Sequence, residues 1–410
     1  MDTLTIHKPS LLTEDERVTI RFEVSLREDS GDEKSEELWY SFDKKYREYI
    51  CDEVCDSVVV SILHYCLKSG CDIESEVPMT DRLYYEITSQ FIPQMLLMNP
   101  SAHPFELRVE TICPDWKPAA VATAMSCGID SLTTYYECTA DTVPEGFRLT
   151  HLTFFEQGAH HGGGGLPWEE EDRIYLAQLE RVRSFCDLIH CELIDVRSNL
   201  AEFLRRLFWR ESYNHTHTYR NIAFVMLLQK LIRVYYYAAA YNLDQFGCSM
   251  DSDSAHYDKW LLPVLSTAYT SFFSANSSMT RIEKVKYLSQ KPETYDHVLV
   301  CYKDGCNCGT CIKCWRTMLE MEVCGVLDLY RGSFDVDSFR SRYEFYLAKM
   351  LRLRKTESVM QDIYDYMMEH DIDIPKQCQR EARKTELHMK LRKRRWYQIL
   401  GRMKASLRGR

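Results

Sequence analysis

The chain lacks any uncharged apolar run that approaches the roughly 20 residues needed to span a bilayer. The best candidate, Leu231 to Leu243, contains Arg233. The segment Met1 to Lys8 lacks the basic-then-apolar order of a secretory signal, so we expect a cytoplasmic protein. The 17 cysteines lack the even spacing of a secreted disulfide scaffold, because five of them fall between Cys301 and Cys314.

A basic surface is also lacking over most of the sequence. Lys376 to Arg410 carry 13 Lys/Arg against two Glu, a balance of +11, whereas the whole chain carries −10. The first 375 residues therefore carry −21. Lys390 to Trp396 is a candidate basic amphipathic helix. The tail 376–410 is either solvated or available to anionic lipid, nucleic acid or the acidic body of its own chain.

A chain of 410 residues is long enough for two or three domains. Residues 1–112 predict a small α+β domain, with paired strands at Val18–Val24 and Glu37–Phe42 and helices at Ser57–Tyr65 and after Thr80. From residue 113 strands and helices alternate, which predicts an α/β domain over 113–326: a mostly parallel sheet with helices on both faces. Residues 327–410 predict a helical extension.

Within the α/β region, strands are predicted at Arg148–Phe155 and Glu192–Val196, with a helix from about Trp168 to His190 between them. The segment from His215 predicts a helix that stays apolar through Leu231 and Ile232. A further strand is predicted at Phe246–Met250, followed by the polar loop Asp251–Ser254. That loop is either a substrate or Mg²⁺ contact or an ordinary Asp/Ser turn.

A turn of small and hydroxyl residues follows the apolar run Ala119–Ala124. The order is a buried strand, the turn Met125–Ser131 and then a helix. Such a turn points backbone N–H groups and a positive dipole end at one spot, which suits a phosphate. Ser126 and Ser131 can add hydroxyl donors, and Asp130 can either hold Mg²⁺ or orient the turn. The alternative is an ordinary capped helix.

Two further segments are candidates for ligand contact. His160 and His161 lie beside four glycines, a composition that suits a metal or phosphate contact, a lid over a nucleotide or a solvated loop. Arg220 and Asn221, placed near a helix start, can reach phosphate or ribose; the alternative is surface capping.

The cysteine cluster is the most specific local pattern. Cys301, Cys308, Cys311 and Cys314 have the spacing C-x₆-C-x₂-C-x₂-C, with Cys306 as an extra thiol. Four thiolates close a tetrahedral site with no open position, which favours a structural zinc. An iron–sulfur cluster is the alternative. The earlier cysteines (Cys51, Cys55, Cys66 and Cys71) have poor ligand spacing and are interpreted as buried thiols.

The turn resembles the PP-loop of the N-type ATP pyrophosphatases, whose pattern is Ser-Gly-Gly-x-Asp-Ser. The matching residues are Ser126, Gly128, Ile129, Asp130 and Ser131, and the departure is Cys127, where the family has its first glycine. If that position has a positive φ, a cysteine there is strained.

The order of motifs over roughly residues 118–325 resembles 7-cyano-7-deazaguanine synthase and its relatives in the adenine nucleotide α-hydrolase-like superfamily. Besides the turn, the matching segments are Phe155–His160, Arg220–Asn221, Met279–Lys284, Val300–Tyr302 and Cys308–Cys314. The chain is more similar to the divergent synthase-like proteins that accompany bacterial surface-polysaccharide or defence gene clusters, because the N-terminal domain and basic tail are additions to the compact synthases.

This resemblance implies an ATP-dependent adenylating enzyme. It would activate a carboxylate-type small-molecule substrate with release of pyrophosphate, for attack by ammonia or another nucleophile. Asp130 and Ser131 would be the catalytic residues, with Mg²⁺ near Asp130 and Zn²⁺ on the four cysteines. The residues that would bind ATP are Ser126, Cys127, Gly128, Ile129, Asp130, Ser131, Arg220 and Asn221.

Two other functions stay open. A tRNA-modifying PP-loop enzyme would need a basic RNA-binding face, which here only the tail can supply. A non-catalytic nucleotide-binding component of a larger assembly would account for Cys127. A homodimer and a protein partner are both compatible with the sequence.

Overall fold

A computed structural model describes residues 2–159, 168–208, 212–301 and 305–391. The strands are β1 (Thr3–Ile6), β2 (Ser10–Glu14), β3 (Arg17–Arg27), β4 (Glu33–Asp43), β5 (Asp72–Ser75), β6 (Met79–Thr80), β7 (Leu107–Arg108), β8 (Thr111–Ile112), β9 (Ala120–Ala124), β10 (His151–Phe155), β11 (Glu192–Ser198), β12 (Ile232–Ala238) and β13 (Ser271–Ala275).

The α-helices are α1 (Asp56–Ser69), α2 (Asp81–Glu86), α3 (Ile92–Met98), α4 (Ile129–Cys138), α5 (Trp168–Leu188), α6 (Leu200–Leu207), α7 (Tyr213–Met226), α8 (Asp258–Val264), α9 (Arg281–Leu288), α10 (Ile312–Val323), α11 (Val336–Arg340), α12 (Tyr343–Leu353), α13 (Ser358–Glu369) and α14 (376–391). A π-helical turn joins α2 to α3, and short 3₁₀ turns lie at Lys44–Tyr49, Glu145–Phe147, Leu243–Gln245, Ser254–His256, Pro292–Thr294 and Leu327–Tyr330.

The chain forms two compact units. One contains the residues up to Thr280 together with His297–Asn307, and the other contains Arg281–Asp296 and the chain from Cys308 onward. The first unit holds the sheet and the turn Met125–Ser131. The second unit is helical in its described part.

The first unit is an α/β structure built on a mostly parallel sheet. Among the described residues eleven strands join it, in the order β13-β12-β9-β10-β11-β4-β3-β1-β5-β7, with β2 added against β3. From β13 to β11 every neighbouring pair is parallel. Since β10 and β11 extend from one side of β9 and β12 and β13 from the other, the strand order reverses at β9.

Helices cover both faces of the parallel strands, as predicted. Successive residues of a strand point to opposite faces, and β10 shows this directly. Phe155 stacks on Phe224 of α7 with ring centroids 4.9 Å apart, whereas Phe154 packs against Tyr175 of α5 at 5.3 Å. Both faces are therefore buried, which explains why apolar residues such as Phe154 and Phe155 occupy successive positions of the strand.

The N-terminal strands continue the same sheet. β11 pairs antiparallel with β4 through Arg197↔Ser41 and Ser198↔Tyr40. The Asn199 side chain extends this junction, because its Oδ1 accepts from the Trp39 N–H at 2.9 Å and its Nδ2 donates to the Glu37 carbonyl at 2.7 Å. That residues 1–112 form a domain of their own stays a prediction.

The second unit is organised around Trp315 of α10, which is completely buried. Its ring stacks on Tyr346 of α12 with centroids 5.5 Å apart, and Tyr346 stacks in turn on Phe339 of α11 at 5.3 Å. This aromatic column packs α11 and α12 against α10, and α11, α12 and α13 confirm helices within the predicted extension over 327–410.

Several elements were predicted correctly and others were not. The pairing of Val18–Val24 with Glu37–Phe42 is confirmed within β3 and β4, and the predicted strands at Arg148–Phe155 and Glu192–Val196 are confirmed as β10 and β11. The structure ends α7 at Met226, so the prediction that the helix continues through Leu231 and Ile232 is wrong; Ile232 begins β12. The predicted strand at Phe246–Met250 is also wrong, because that segment is irregular.

The wrong prediction at the end of α7 has a physical cause. A run of buried apolar residues does not distinguish a helix from an interior parallel strand.

No helix in the described ranges combines the length and the apolar character that crossing a membrane requires. The predicted lid histidines His160 and His161, residue Tyr302 of the compared motif and the basic segment 392–410 lie outside the described residues.

Candidate functional site

The turn between β9 and α4 lies at the point where the parallel strands reverse their order. β9 ends at Ala124, α4 begins at Ile129, and the intervening residues project beyond the carboxyl edge of the sheet. In open α/β sheets the crevice at such a point is where ligands bind. The strand, turn and helix predicted from the sequence are therefore present, and they lie at a position suited to a ligand. We call Ser126–Ser131 the phosphate turn.

Cys127 holds the strained conformation in this turn. Its φ is +56°, in the left-handed region that costs a residue other than glycine about 1 kcal/mol. Gly128 has an ordinary φ of −78°, although a Cβ there would lie only 3.2 Å from the Ser126 hydroxyl oxygen. The cysteine thus occupies the position where a glycine is conformationally favoured. Burial raises the pKa of the Cys127 thiol far above its ordinary value, so the side chain is a neutral thiol.

Two serines bracket the turn and have different roles. The Ser126 and Ser131 hydroxyl oxygens are 3.2 Å apart, and the Ser131 hydroxyl also lies 3.1 Å from the Gly128 carbonyl, to which it donates. Ser131 is buried, whereas Ser126 is exposed. Ser131 therefore fixes the turn from within, and Ser126 is accessible to a ligand.

The amino end of α4 carries the features that an anion requires. The N-cap residue of this helix is Gly128, which has no side chain with which to cap it. The N–H groups of the first helical turn and the positive end of the dipole therefore face the crevice. Ile129 is fully buried and anchors the helix, while Asp130 is only partly buried in the first turn. A carboxylate there is stabilised by the dipole and can contact a metal ion.

Arg220 and Asn221 lie in the middle of α7, not near its start, because that helix begins at Tyr213. Arg220 is buried; its Nη1 donates to the Gln157 carbonyl at 3.2 Å, just beyond the end of β10. Its guanidinium also lies over the Tyr213 ring, 5.4 Å from the centroid. Surface capping is therefore wrong for this pair. Arg220 ties α7 to the carboxyl edge of the sheet.

Sequence reasoning did not identify a hydrogen-bonded chain beside the phosphate turn. His217 of α7 lies 2.7 Å from the Tyr237 hydroxyl through Nδ1 and 2.8 Å from the Asp253 carboxylate through Nε2. Asp253 belongs to the loop Asp251–Ser254, for which a substrate contact was one of two interpretations. Recognising β12 as a strand would have placed Tyr237 at the same edge of the sheet.

The four predicted metal ligands come together. One sulfur from each of Cys301, Cys308, Cys311 and Cys314 lies within 4.8 Å of the others. A tetrahedral Zn²⁺ with bonds of about 2.3 Å requires sulfurs about 3.8 Å apart, and the Cys311–Cys314 and Cys308–Cys314 distances are 3.4 and 4.0 Å. The cluster can therefore hold a metal such as zinc.

Backbone N–H groups support these sulfurs. The Cys311 N–H donates to the Cys308 sulfur and the Cys314 N–H to the Cys311 sulfur, both at 3.4 Å. Such bonds stabilise thiolate over thiol. Cys306 is exposed and is not part of the group. The earlier cysteines, Cys51, Cys55, Cys66 and Cys71, are buried free thiols, as interpreted.

Asn307 is a second residue that sequence reasoning missed. Its Oδ1 accepts from the N–H groups of Val300 and Cys301 at 2.9 and 3.2 Å, and its Nδ2 donates to the Val298 carbonyl at 2.8 Å. The same segment contacts the phosphate turn, because the Leu299 N–H donates to the Cys127 carbonyl at 2.8 Å. No sequence pattern marks an asparagine for this role.

A cleft of about 490 Å³ lies elsewhere on the sheet, over β3, β4 and β11 beside α5. Its arginines have carboxylate partners: Arg17 and Arg183 contact Asp195 at 2.9 and 3.1 Å, and Arg21 contacts Glu37 at 3.2 Å. These partners compete with an incoming anion. The cleft is therefore a weaker candidate phosphate site than the turn.

No protein-family model, curated protein or solved structure matches this chain. Family membership therefore stays a prediction from the motifs.

Proposed function

We propose that the protein is an ATP-dependent adenylating enzyme similar to 7-cyano-7-deazaguanine synthase. The observation that carries the proposal is the position of the phosphate turn: a helix N-terminus with glycine as its N-cap residue and an accessible serine beside it, at the strand-order reversal of a parallel sheet. That combination supplies hydrogen-bond donors and a favourable dipole at the place where such sheets bind nucleotides.

The chain's own groups would act by positioning. Backbone N–H groups of the turn and the Ser126 hydroxyl would hold the phosphates of ATP, while Ser131 maintains the turn. Asp130 would hold Mg²⁺, which neutralises charge on the leaving pyrophosphate. Because the reaction transfers AMP to a bound carboxylate, no covalent protein nucleophile is required.

The cysteine cluster would have a structural role in this enzyme. Four thiolates leave no open coordination position, so a zinc ion there would not bind substrate. The Asn307 and Leu299 contacts link the segment that carries Cys301 to the phosphate turn. A metal at the cluster would thereby help to keep that segment in place.

The experiment is to incubate the protein with ATP, Mg²⁺, ammonia and a panel of carboxylic acids, beginning with heteroaromatic acids, and to measure AMP and pyrophosphate. We expect pyrophosphate release that depends on one acid and falls at least about 100-fold in Asp130→Ala. Asp141→Ala, which alters an exposed carboxylate past the end of α4, is the matched control and should retain activity. Pyrophosphate release that survives in Asp130→Ala would contradict the proposal.

One observation favours a second candidate, a non-catalytic nucleotide-binding component: the strained φ at Cys127. In that case the wild-type protein would bind ATP without turnover, and Cys127→Gly would gain pyrophosphate release. RNA that co-purifies with the protein would instead favour the tRNA-modifying alternative.

A further inference from the structure

The crevice beside the phosphate turn is bounded by β9 and β12. In the register of these parallel strands Tyr236 lies opposite Thr123, so Tyr237 lies level with Ala124, two residues before Ser126. Adjacent strands are about 4.8 Å apart. Tyr237 is thus one strand away from the start of the phosphate turn, and the residue is half-buried.

Tyr237 is the first member of a directed hydrogen-bond chain. The Asp253 carboxylate can only accept, so the proton between it and His217, at 2.8 Å, lies on Nε2. The neutral imidazole therefore presents a bare Nδ1 to the Tyr237 hydroxyl, 2.7 Å away, and the phenol donates to it. A donor, a base and a group that orients the base are present in the order that acid–base catalysis uses.

The surroundings hold this arrangement in place. Tyr213 stacks on the His217 ring with centroids 5.6 Å apart, and Asp253 also accepts from the Ala255 N–H at 3.0 Å. The charged and titratable groups nearby include Arg220, whose guanidinium lies over the Tyr213 ring, His256, which acts on Asp253, and the buried Asp258 with Lys259 3.3 Å from it.

The ionisation states of Tyr237 and Asp253, the two ends of the hydrogen-bond chain, suit proton uptake. Burial alone would raise the pKa of Asp253, but the hydrogen bonds that its carboxylate accepts from His217 and from the Ala255 N–H lower that pKa below its ordinary value. Burial raises the pKa of Tyr237 well above its usual range, so the phenol does not ionise on its own. It can pass a proton only while it receives another.

We propose that Tyr237, His217 and Asp253 form a proton relay that deprotonates the attacking amine in the second half-reaction. Ammonium gives a proton to the Tyr237 oxygen as the phenolic proton moves to Nδ1 of His217, which leaves ammonia and an imidazolium beside Asp253. The ammonia nitrogen then forms a bond to the acyl carbon, the bond from that carbon to the AMP oxygen breaks, and AMP leaves with the electron pair. The excess proton on nitrogen passes to water.

This inference rests on the proposed function. A comparison of two nucleophiles, ammonia and hydroxylamine, distinguishes failure of the relay from failure of the adenylation. Ammonia is mostly protonated at neutral pH and needs a base, whereas hydroxylamine is mostly unprotonated and does not. With the acid that supports pyrophosphate release, Tyr237→Phe and His217→Gln should lower the ammonia-dependent rate about 100-fold and leave the hydroxylamine-dependent rate within about threefold. Tyr236→Phe is the matched control, because that hydroxyl donates instead to the Phe147 carbonyl.

Equal loss with both nucleophiles, or no loss with either, would overturn the relay while leaving adenylation intact. If no acid supports pyrophosphate release in the wild-type protein, the proposed function fails, and the relay as a catalytic device fails with it.

A ligand-free measurement tests the relay's geometry independently. In ¹⁵N-histidine-labelled protein, assigned with His217→Gln, we expect the proton of His217 on Nε2 at neutral pH and a shift of its Nδ1 resonance in Tyr237→Phe. A proton on Nδ1 would reverse the direction of the hydrogen bonds and overturn the proposal.

Discussion

The phosphate turn and the cysteine cluster make different demands on the sequence. The cluster depends on side-chain chemistry: four thiols at short spacings, which only cysteine supplies and which come together as predicted. The phosphate turn depends on backbone geometry, so residues of several types are compatible with it, and one of them, Cys127, is strained. A metal cluster can therefore be predicted from composition and spacing, whereas a phosphate-binding turn also requires the topology of the sheet around it.

The largest expected effect is loss of the metal when one of the four cysteines of the cluster is replaced. Cys314→Ser removes a buried ligand, and a structural zinc contributes on the order of 10 kcal/mol to its local fold. We expect metal content, measured by elemental analysis, to fall from one ion per chain to a small fraction of that. Cys306→Ser, at an exposed thiol outside the cluster, should retain the metal. Equal metal loss in both variants would show that the four-ligand assignment is wrong.

A smaller effect on stability should arise from Asn307, whose side chain holds the segment Val298–Cys301 that contacts the phosphate turn. Asn307→Ala removes three hydrogen bonds, so we expect the free energy of unfolding to fall by about 2–3 kcal/mol. Asn307→Asp keeps the two acceptor bonds and should lose about half as much. Chemical denaturation measures both. If the two variants are equally stable, the acceptor bonds do not hold the segment.

Acid should affect the cysteine cluster and the Tyr237–His217–Asp253 chain in different pH ranges. Thiolate ligands take up protons as metal is released, so the cluster should lose its ion as the pH falls below neutrality. The pKa of Asp253 is lower in the folded protein than its ordinary 3.8, so its stabilisation is present above that value and is lost as the pH falls below it. The difference in melting temperature between wild type and Asp253→Asn should therefore persist at pH 5 and shrink below about pH 3.8. A difference already absent at pH 5 would contradict this assignment.

The smallest effect is expected at Cys127. Cys127→Gly relieves about 1 kcal/mol of strain but leaves a buried thiol's space unfilled, which costs a similar amount. We expect the free energy of unfolding to change by less than about 1 kcal/mol. Destabilisation well beyond that in urea titrations would show that the thiol has a packing role larger than the strain it imposes.

Much of the sheet could be predicted because its strands alternate or follow recognisable turns. Val18–Val24 alternates between buried and exposed positions, and the Ala119–Ala124 run precedes a small-residue turn. β12 could not be predicted, since its apolar run continues that of α7, and periodicity does not separate the two. Because β12 was not predicted as a strand, neither the position of Tyr237 nor the reversal of strand order at β9 could be predicted.

The contacts of Asn307 and His217 could not be predicted for another reason. Each depends on partners brought together by the fold: His217 contacts Asp253, 36 residues away, and Asn307 spans a loop between cysteines. Neither residue type has a spacing rule for such a role. The four cysteines could be predicted as metal ligands without knowledge of the fold, because their spacing along the chain is itself typical of a metal site.

One labelling experiment tests the central claim that nucleotide phosphates bind at the phosphate turn. The sequence contains three Cys-Gly pairs, at Gly128, Gly309 and Gly325, so ¹³C-carbonyl cysteine with ¹⁵N-glycine gives three assigned amides: one in the phosphate turn, one in the cysteine cluster and one after α10. On addition of MgATP we predict a shift of the Gly128 amide alone, and on chelation of the metal a shift of Gly309 without Gly325. A Gly128 amide that stays unmoved in saturating MgATP would contradict the account.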